Sequence, residues 1–506
     1  NLYMNIIQTF YSYTDGDPLF DNAGFLSAEF NWLSIALSCV LLKQHFGKVT
    51  LYCNHKVRIL VEELHIPYTN IVEIPDFMED YEGYNLWALP KVYTYSMQRE
   101  PFLHVDCDWF MFEKLSDEFL SSDLFAQNIE YDDQFYNRKC IERFIHAGGV
   151  VPQCVSSELS APICRVANAG ILGGNDIDFI RRYVSQVYSF IKKNDRVLKE
   201  TKDGFINSFY EQMFFYTMAR QENKSVNYCT RGDKLSTKFD WFDIDFTCKP
   251  KYGYMHLLAS LKRTINAQIF VSQYLRNIAP DLYKNIIQTY INRGGHTIIN
   301  YFDICNDLCI NNLRTNDLIF SETKKYLKIN APISKDSLDS YITNSNYKKD
   351  NLLSKIYYTD LMRYNAEKSL IENYQEICSI NDKNINFFWK EELFKKNKLK
   401  LNNKFSFIEL SQDLYKHLFP NYEFPFRNPI MAFLKDPLIL KVKDVLLRGI
   451  GAEIIRYMWT VSEATAPQII SHIQLELKDD DVRSDSELIM KYIISFITNN
   501  VLLCDE

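Results

Sequence analysis

Basic charge is not in excess in this chain: 57 Lys and Arg stand against 64 Asp and Glu, a formal net charge of -7 at pH 7. Proteins that bind nucleic acid in general gain most of their affinity by neutralising phosphates, so that class is excluded, although a local basic groove is not. The sequence also has no run of about 20 uninterrupted apolar residues, the length a spanning helix needs. Its start lacks the charged, apolar and small-residue order of a signal peptide, so a cytoplasmic chain without a membrane span is expected. The 12 cysteines lack metal-finger spacing. Cys305 and Cys309 form the closest pair, and no second pair completes a tetrahedral site, so most thiols are expected to be buried. No internal repeat is present. Asn1-Leu2-Tyr3, ahead of Met4, reads as a tag remnant and is set aside.

What is present is the material of a folded core: 47% hydrophobic and 15% aromatic residues over 506 positions. Single cores stop growing at roughly 250 to 300 residues, so two or three domains are expected. From Met4 onward short apolar runs alternate with helical patterns, the mark of a layered α/β domain. Met4–Tyr11, Val49–Cys53, Ile71–Ile74, Pro101–Val105 and Ala167–Gly173 read as strands. Leu26–His45, Val57–Leu64, Leu89–Met97 and a segment from Asp176 onward read as helices. After about Arg276 strand signals thin and the pattern turns helical; Thr343–Asn351 and Lys395–Lys404 look linker-like. The expected division is 4–276, an α/β nucleotide-sugar domain; 277–430, a helical connecting region; and 431–506, a small winged-helix-like domain.

The sharpest local signal is Phe102-Leu103-His104-Val105-Asp106-Cys107-Asp108, an apolar strand ending in two carboxylates. Strand alternation points Asp106 and Asp108 to one face, where both can hold a hard divalent cation such as Mn²⁺ or Mg²⁺ together with substrate phosphates. Such pairs also arise by chance and cap turns. Tyr252–Lys262 brings His256 and Lys262 together, a further ligand and an ammonium for a diphosphate, or else a histidine held in a core hydrogen bond. Ala167–Gly174 offers Asn168 for sugar hydroxyls and Gly170 for close backbone approach, or an ordinary strand-to-helix turn. Glu211-Gln212 opens an apolar helical run, where Glu211 either serves the helix start or faces the acceptor.

The order of these elements resembles GT-A glycosyltransferases of the glycogenin-like, retaining class, over about half the chain. More narrowly, Leu86–Lys91 followed by Glu100–Asp108 looks like a group of bacterial proteins thought to be glycosyltransferases. The resemblance implies a Rossmann-like GT-A domain, a hexosyltransferase-type activity, and Asp106, Asp108 and His256 around the metal. It further implies a nucleotide-sugar donor, most simply a UDP-sugar. Gln8, Thr9 and Phe10 would receive the nucleobase, Lys262 the diphosphate oxygens, and Asn168 and Gly170 the sugar, while Lys91 would approach the donor and Asp106 would hold it through the metal. Glu211 and Gln212 would lie beside the reacting carbon, and these two with Asp108, through the metal it holds, would be the catalytic residues. One departure stands out: where that class carries His-x-x-Gly-x-x-Lys, this chain has Ala259 in the glycine place.

The last segment is faintly similar to peptide-recognition domains of the PqqD type. Short β-like runs at Leu438–Val442 and Asp444–Leu447 precede helical signals at Gly451–Trp459, Ala466–Leu477 and Ser486–Asn499. That likeness implies a ribosomally made peptide as acceptor. A non-catalytic binding or assembly module of the same fold, and a transferase acting on a cell-surface glycan, remain open at this level.

Overall fold

The computed structural model describes residues 4–131, 138–161, 164–201, 203–230, 253–298, 316–344, 351–388, 396–425, 427–436, 441–477 and 485–504. Cys305, Cys309, part of the Thr343–Asn351 stretch, and the start of the Leu438–Val442 run lie outside the described residues. The chain forms two compact units, 1–244 with 250–295, and 245–249 with 296–506.

The first unit is built on a seven-stranded sheet. Its strands are β1 (Asn5–Phe10), β2 (Thr50–Cys53), β3 (Asn70–Glu73), β4 (Phe102–Val105), β6 (Leu124–Ala126), β9 (Ile171–Gly174) and β10 (Val226–Tyr228), in the order β10-β6-β9-β4-β1-β2-β3. Neighbours run parallel except β9, which is antiparallel to both β4 and β6. This makes a mixed α/β fold with a mostly parallel sheet. β4 is buried at every position, which is why it reads as a mostly apolar run, broken only by His104, and not as an alternation of apolar with exposed polar residues. Gly173 and Gly174 let β9 fit between its neighbours: a Cβ at either would meet backbone carbonyls of Phe102 or Asp123.

Strand polarity gathers one edge of this sheet. The C-terminal ends of β1, β4 and β6 and the N-terminal end of antiparallel β9 share it, so Phe10, Asp106, Gln127 and Gly170 collect there. Ligands of open α/β sheets bind along that edge. A two-stranded ribbon supplies the remaining piece: β5 (Trp109–Met111) pairs antiparallel with β11 (Tyr254–His256), with His256 opposite Trp109. A second ribbon joins β7 (Ile129–Tyr131) and β8 (Arg165–Ala167).

Helix Ala28–Phe46 is buried on nearly all sides, because β5 and the helices Ile265–Ile278 and Pro280–Asn292 all pack on it. Arg293 pairs with Asp17 at 2.7 Å. The first unit therefore extends to Gly295, past the boundary expected at 276, since without those two helices an apolar helix face would be left open to water.

The second unit holds two small antiparallel sheets. One comprises β13 (Ser406–Glu409), β14 (Ile430–Asp436) and β15 (Lys441–Leu447); the other sets β12 (Lys398–Leu401) between β16 (Glu463–Thr465) and β17 (Leu502–Cys504). The pairing of β13 with β14 carries structure across the boundary expected at 430, and the stretch Lys395–Lys404, expected as a linker, contains a central strand. The physical reason is plain in Lys398-Leu399-Lys400-Leu401: Leu399 is buried in the core while Lys398 lies in solvent. Helices Ile450–Val461, Ala466–Glu476 and Ser486–Thr498 close over this core. Arg363, nearly buried, is held between Asp360 at 2.5 Å and Asp444 at 2.7 Å.

Candidate functional site

The turn from Asp106 to Asp108 follows β4, and its three carbonyls and the Asp106 amide are anchored. Asp106 N donates to Gly170 O at 2.8 Å, and Gln8 Nε2 donates to Asp106 O at 3.3 Å. Ser34 Oγ donates to Cys107 O at 3.0 Å, Leu257 N to Asp108 O at 3.0 Å, and Ser38 Oγ to Trp109 O at 2.7 Å. The buried helix Ala28–Phe46 thus latches the turn by two hydroxyls, and β11 latches it from the other side. Both carboxylates face one small volume as a result, with one ligand atom each from Asp106, Asp108 and His256 lying within 4.8 Å of one another.

Charge converges on the same point. Lys262 Nζ lies 2.6 Å from Asp108 Oδ2, and His256 Nε2 lies 3.3 Å from Asp108 Oδ1. Lys91 Nζ bridges Asp106 Oδ1 at 2.8 Å and Glu211 Oε1 at 2.7 Å. Three carboxylates share two ammonium groups, which leaves the cluster with a formal excess of negative charge. Burial pushes the Asp108 carboxyl up, but Lys262 and His256 outweigh it and hold Asp108 below the ordinary carboxylate range. For Asp106 burial prevails over Lys91, and Asp108 adds repulsion, so its carboxyl is pushed up. Glu211 is raised in the same way, by burial and by Asp106, against Lys91. Lys91 is itself raised, because Asp106 and Glu211 more than offset the cost of burial.

A divalent cation suits this donor set. Two carboxylate oxygens and an imidazole nitrogen are hard-to-borderline ligands, appropriate to Mg²⁺ or Mn²⁺ and not to thiolate-loving metals. His256 Nδ1 is hydrogen-bonded to Gln127 Oε1 at 2.8 Å, which leaves Nε2 to face the Asp108 oxygen. Two buried acceptors nearby, Glu211 Oε2 and Gln212 Oε1, have no hydrogen-bond partner among the described residues.

Glu211 and Gln212 do not start a helix. They sit in a π-helical turn, Phe209–Met213, inside a continuous helical stretch from Phe205 to Gln221. Such wide turns are rare and occur often at functional sites. Tyr183 OH donates to the Glu211 carbonyl at 2.8 Å, and Tyr95 OH to Glu211 Oε1 at 3.2 Å.

Other expected donor residues are placed differently. Gln8 is fully buried beneath the Asp106 turn, where its amide, engaged by Ser38, Asp106 O and Tyr68 OH, acts as a strut. Thr9 Oγ1 donates to Thr94 Oγ1 at 3.0 Å and meets His104 Nε2 at 3.1 Å. Phe10, half-buried at the strand end, packs edge-on against Trp32. Asn168 is buried: its Oδ1 accepts from Gly170 N at 2.8 Å and its Nδ2 donates to Glu130, which shapes the turn. Gly170 faces protein as well, since a Cβ there would overlap Gln127 Oε1 and the His256 ring. Ala259 is exposed and adopts φ 43°, the left-handed conformation a glycine takes freely, so a glycine would fit this position without strain. Sequence reasoning missed Gln127, Tyr95 and Tyr183. None carries a local signal, because each reaches the site only through strand order or helix packing.

Residues 4–289 match the family described as "Family of unknown function (DUF6734)". No curated protein matches the chain. Among solved structures the chain is similar to an active-site mutant of LgtC, at 11% identity over 41% of this chain and 70% of that one, with a TM-score of 0.25. It is also similar to the glycosyltransferase GlyE of Streptococcus pneumoniae TIGR4, at 11% identity, 58% and 66% coverage and a TM-score of 0.28. A third is mouse xyloside xylosyltransferase 1, at 13% identity, 50% and 96% coverage and a TM-score of 0.27. These likenesses are partial, and the functional reading rests on the site itself.

Proposed function

The chain belongs to the family of unknown function DUF6734, and from the site built within the matched span we propose a metal-dependent GT-A glycosyltransferase that moves a sugar from a nucleotide-sugar donor to an acceptor. One observation carries this reading: Asp106, Asp108 and His256 converge within 4.8 Å at the ligand-binding edge of a mostly parallel sheet. Mn²⁺ or Mg²⁺ held there would take up the negative charge that builds on the diphosphate as the bond to the anomeric carbon breaks.

The chain's own residues fill the remaining roles. Lys262 neutralises Asp108 at 2.6 Å in the free protein and is placed to turn its ammonium to the diphosphate oxygens once the cation takes over that task. Lys91 ties Asp106 to Glu211 and so fixes the spacing between the metal side and the reacting-carbon side of the site. Glu211, buried and raised in pKa, is a suitable acceptor for the proton of an incoming hydroxyl or thiol, and Gln212 offers an unpartnered carbonyl oxygen beside it. UDP as the nucleotide, hexosyl transfer, retention of configuration and a cytoplasmic setting belong to the same proposal and rest on the sequence resemblance.

We extend the proposal to a peptide acceptor. Its support is the order of helices and strands from Ile450 to Cys504, together with β13 and β15, which among the described residues pair on one side only and so could accept an added strand. A thermal-shift panel of UDP-, GDP- and TDP-sugars with and without Mn²⁺ tests the donor class, because a ligand bound only by the folded state raises its stability. Stabilisation by one donor that requires Mn²⁺ is expected. Indifference to every donor would leave the transferase reading without a substrate.

A further inference from the structure

Gln127 follows β6 and is fully buried, and nothing in its sequence neighbourhood marks it. A chain of hydrogen bonds fixes which way its amide points. A backbone carbonyl can only accept, so Asn128 must turn its Nδ2 to Ile129 O, 3.3 Å away. That leaves Asn128 Oδ1 to accept from Gln127 Nε2 at 3.1 Å, and it leaves Gln127 Oε1 facing His256 Nδ1 at 2.8 Å. An amide oxygen has no proton to give, so His256 Nδ1 carries a hydrogen, and Nε2 is the nitrogen whose lone pair a cation can take in place of the Asp108 contact. Gly170 shelters this contact: its missing side chain is the space that Gln127 Oε1 and the imidazole occupy.

We infer that Gln127 is a positioning residue that sets the tautomer of His256 and so delivers the Nε2 lone pair to the cation of the site. The cation rests on the reading above; the tautomer rests on the geometry alone. In the opposite tautomer Nε2 would carry a hydrogen, donate it to Asp108 Oδ1 at 3.3 Å, and be lost as a ligand. Partners behind metal-bound histidines work in this way, and removing them typically weakens metal affinity by roughly 10 to 100-fold.

The test uses the full chain labelled with ¹⁵N-histidine, in wild type, Gln127→Leu and Gln127→Glu, with His256 assigned through a His256→Asn sample. Two-bond ¹H–¹⁵N spectra of the metal-free proteins report which ring nitrogen is protonated, and Mn²⁺ titration followed by electron paramagnetic resonance reports affinity. The expected result is protonated Nδ1 in wild type and Gln127→Glu, and a shift of the proton toward Nε2 in Gln127→Leu. Mn²⁺ affinity should fall by roughly 10 to 100-fold in Gln127→Leu and be kept in Gln127→Glu. An unchanged tautomer in Gln127→Leu, or a Gln127→Glu protein that behaves like Gln127→Leu, overturns the inference. Should wild type bind no Mn²⁺, the metal reading fails by itself, while the spectra still decide the role of Gln127.

Discussion

At the scale of single residues the site is a contest over two carboxylates. Asp108 is claimed by Lys262 and His256, Asp106 by Lys91, and Lys91 in turn by Glu211. The sequence displayed the Asp-x-Asp pair, His256 and Lys262, because a strand end and a short ribbon hold them within a few residues of recognisable patterns. It could not display Gln127, whose role depends on β6 lying beside β9 at the edge that β11 reaches. Ala259 is a different case, since its backbone keeps the left-handed form at φ 43° despite its methyl group. A left-handed Ala costs about 1–2 kcal/mol, while Gly gives back roughly 0.5–1 kcal/mol in unfolded-chain entropy. Because the side chain is exposed and leaves no cavity, Ala259→Gly is expected to raise unfolding free energy by about 0.5–1 kcal/mol in urea denaturation. A loss of stability would mean that the methyl group makes a packing contribution.

At the scale of elements, legibility followed burial. Helix Leu89–Met97 and β4 stand where the sequence placed them, because burial of both sheet faces, or of one strong helix stripe, leaves a dense apolar pattern. β12 escaped notice behind its lysines, although the alternation Lys-Leu-Lys-Leu was there to see. The segment Ala167–Gly173, read as one strand, is two, β8 and β9, broken by the Asn168 turn that reverses the chain toward the site. The π-helical turn at Glu211 has no sequence signature of its own, and Tyr183 and Tyr95 hydrogen-bond to Glu211 within it. Helix Ile177–Lys193, which follows β9, starts at Asp176, whose Oδ1 accepts from Phe179 N at 2.9 Å and whose Oδ2 accepts from Lys224 at 2.6 Å. Burial pushes the Asp176 carboxyl up, and these two bonds more than reverse it, so it titrates below the usual range when folded. Its contribution is therefore whole above the unfolded value of about 3.9 and is lost as pH falls through the lower folded value. Asp176→Ala should cost about 1 kcal/mol at neutral pH, and the difference from wild type should narrow as urea denaturation is repeated below about pH 3.9. A constant difference across that range would show that the carboxylate charge is not what caps the helix.

At the scale of the whole molecule, two units divide the labour of the sequence. The first carries every residue of the candidate centre and all of the span matched by the family except residues 245–249, and the second carries two small sheets under helices. No helix among the described residues is long and apolar enough to cross a membrane. The overall formal charge of -7 contains a site with two lysines among three carboxylates, so the basic groups that matter are local and are set by the fold and not by composition. The proposed transfer depends on Asp106, Asp108 and His256 holding a divalent cation. Mn²⁺ electron paramagnetic resonance on the full chain, compared with Asp106→Asn, Asp108→Asn and His256→Ala, measures that claim most directly. One protein-bound Mn²⁺ in wild type, with binding lost or weakened at least tenfold in each variant, is the predicted result. Mn²⁺ that stays free in the presence of wild type, or that binds Asp108→Asn as it binds wild type, contradicts the account.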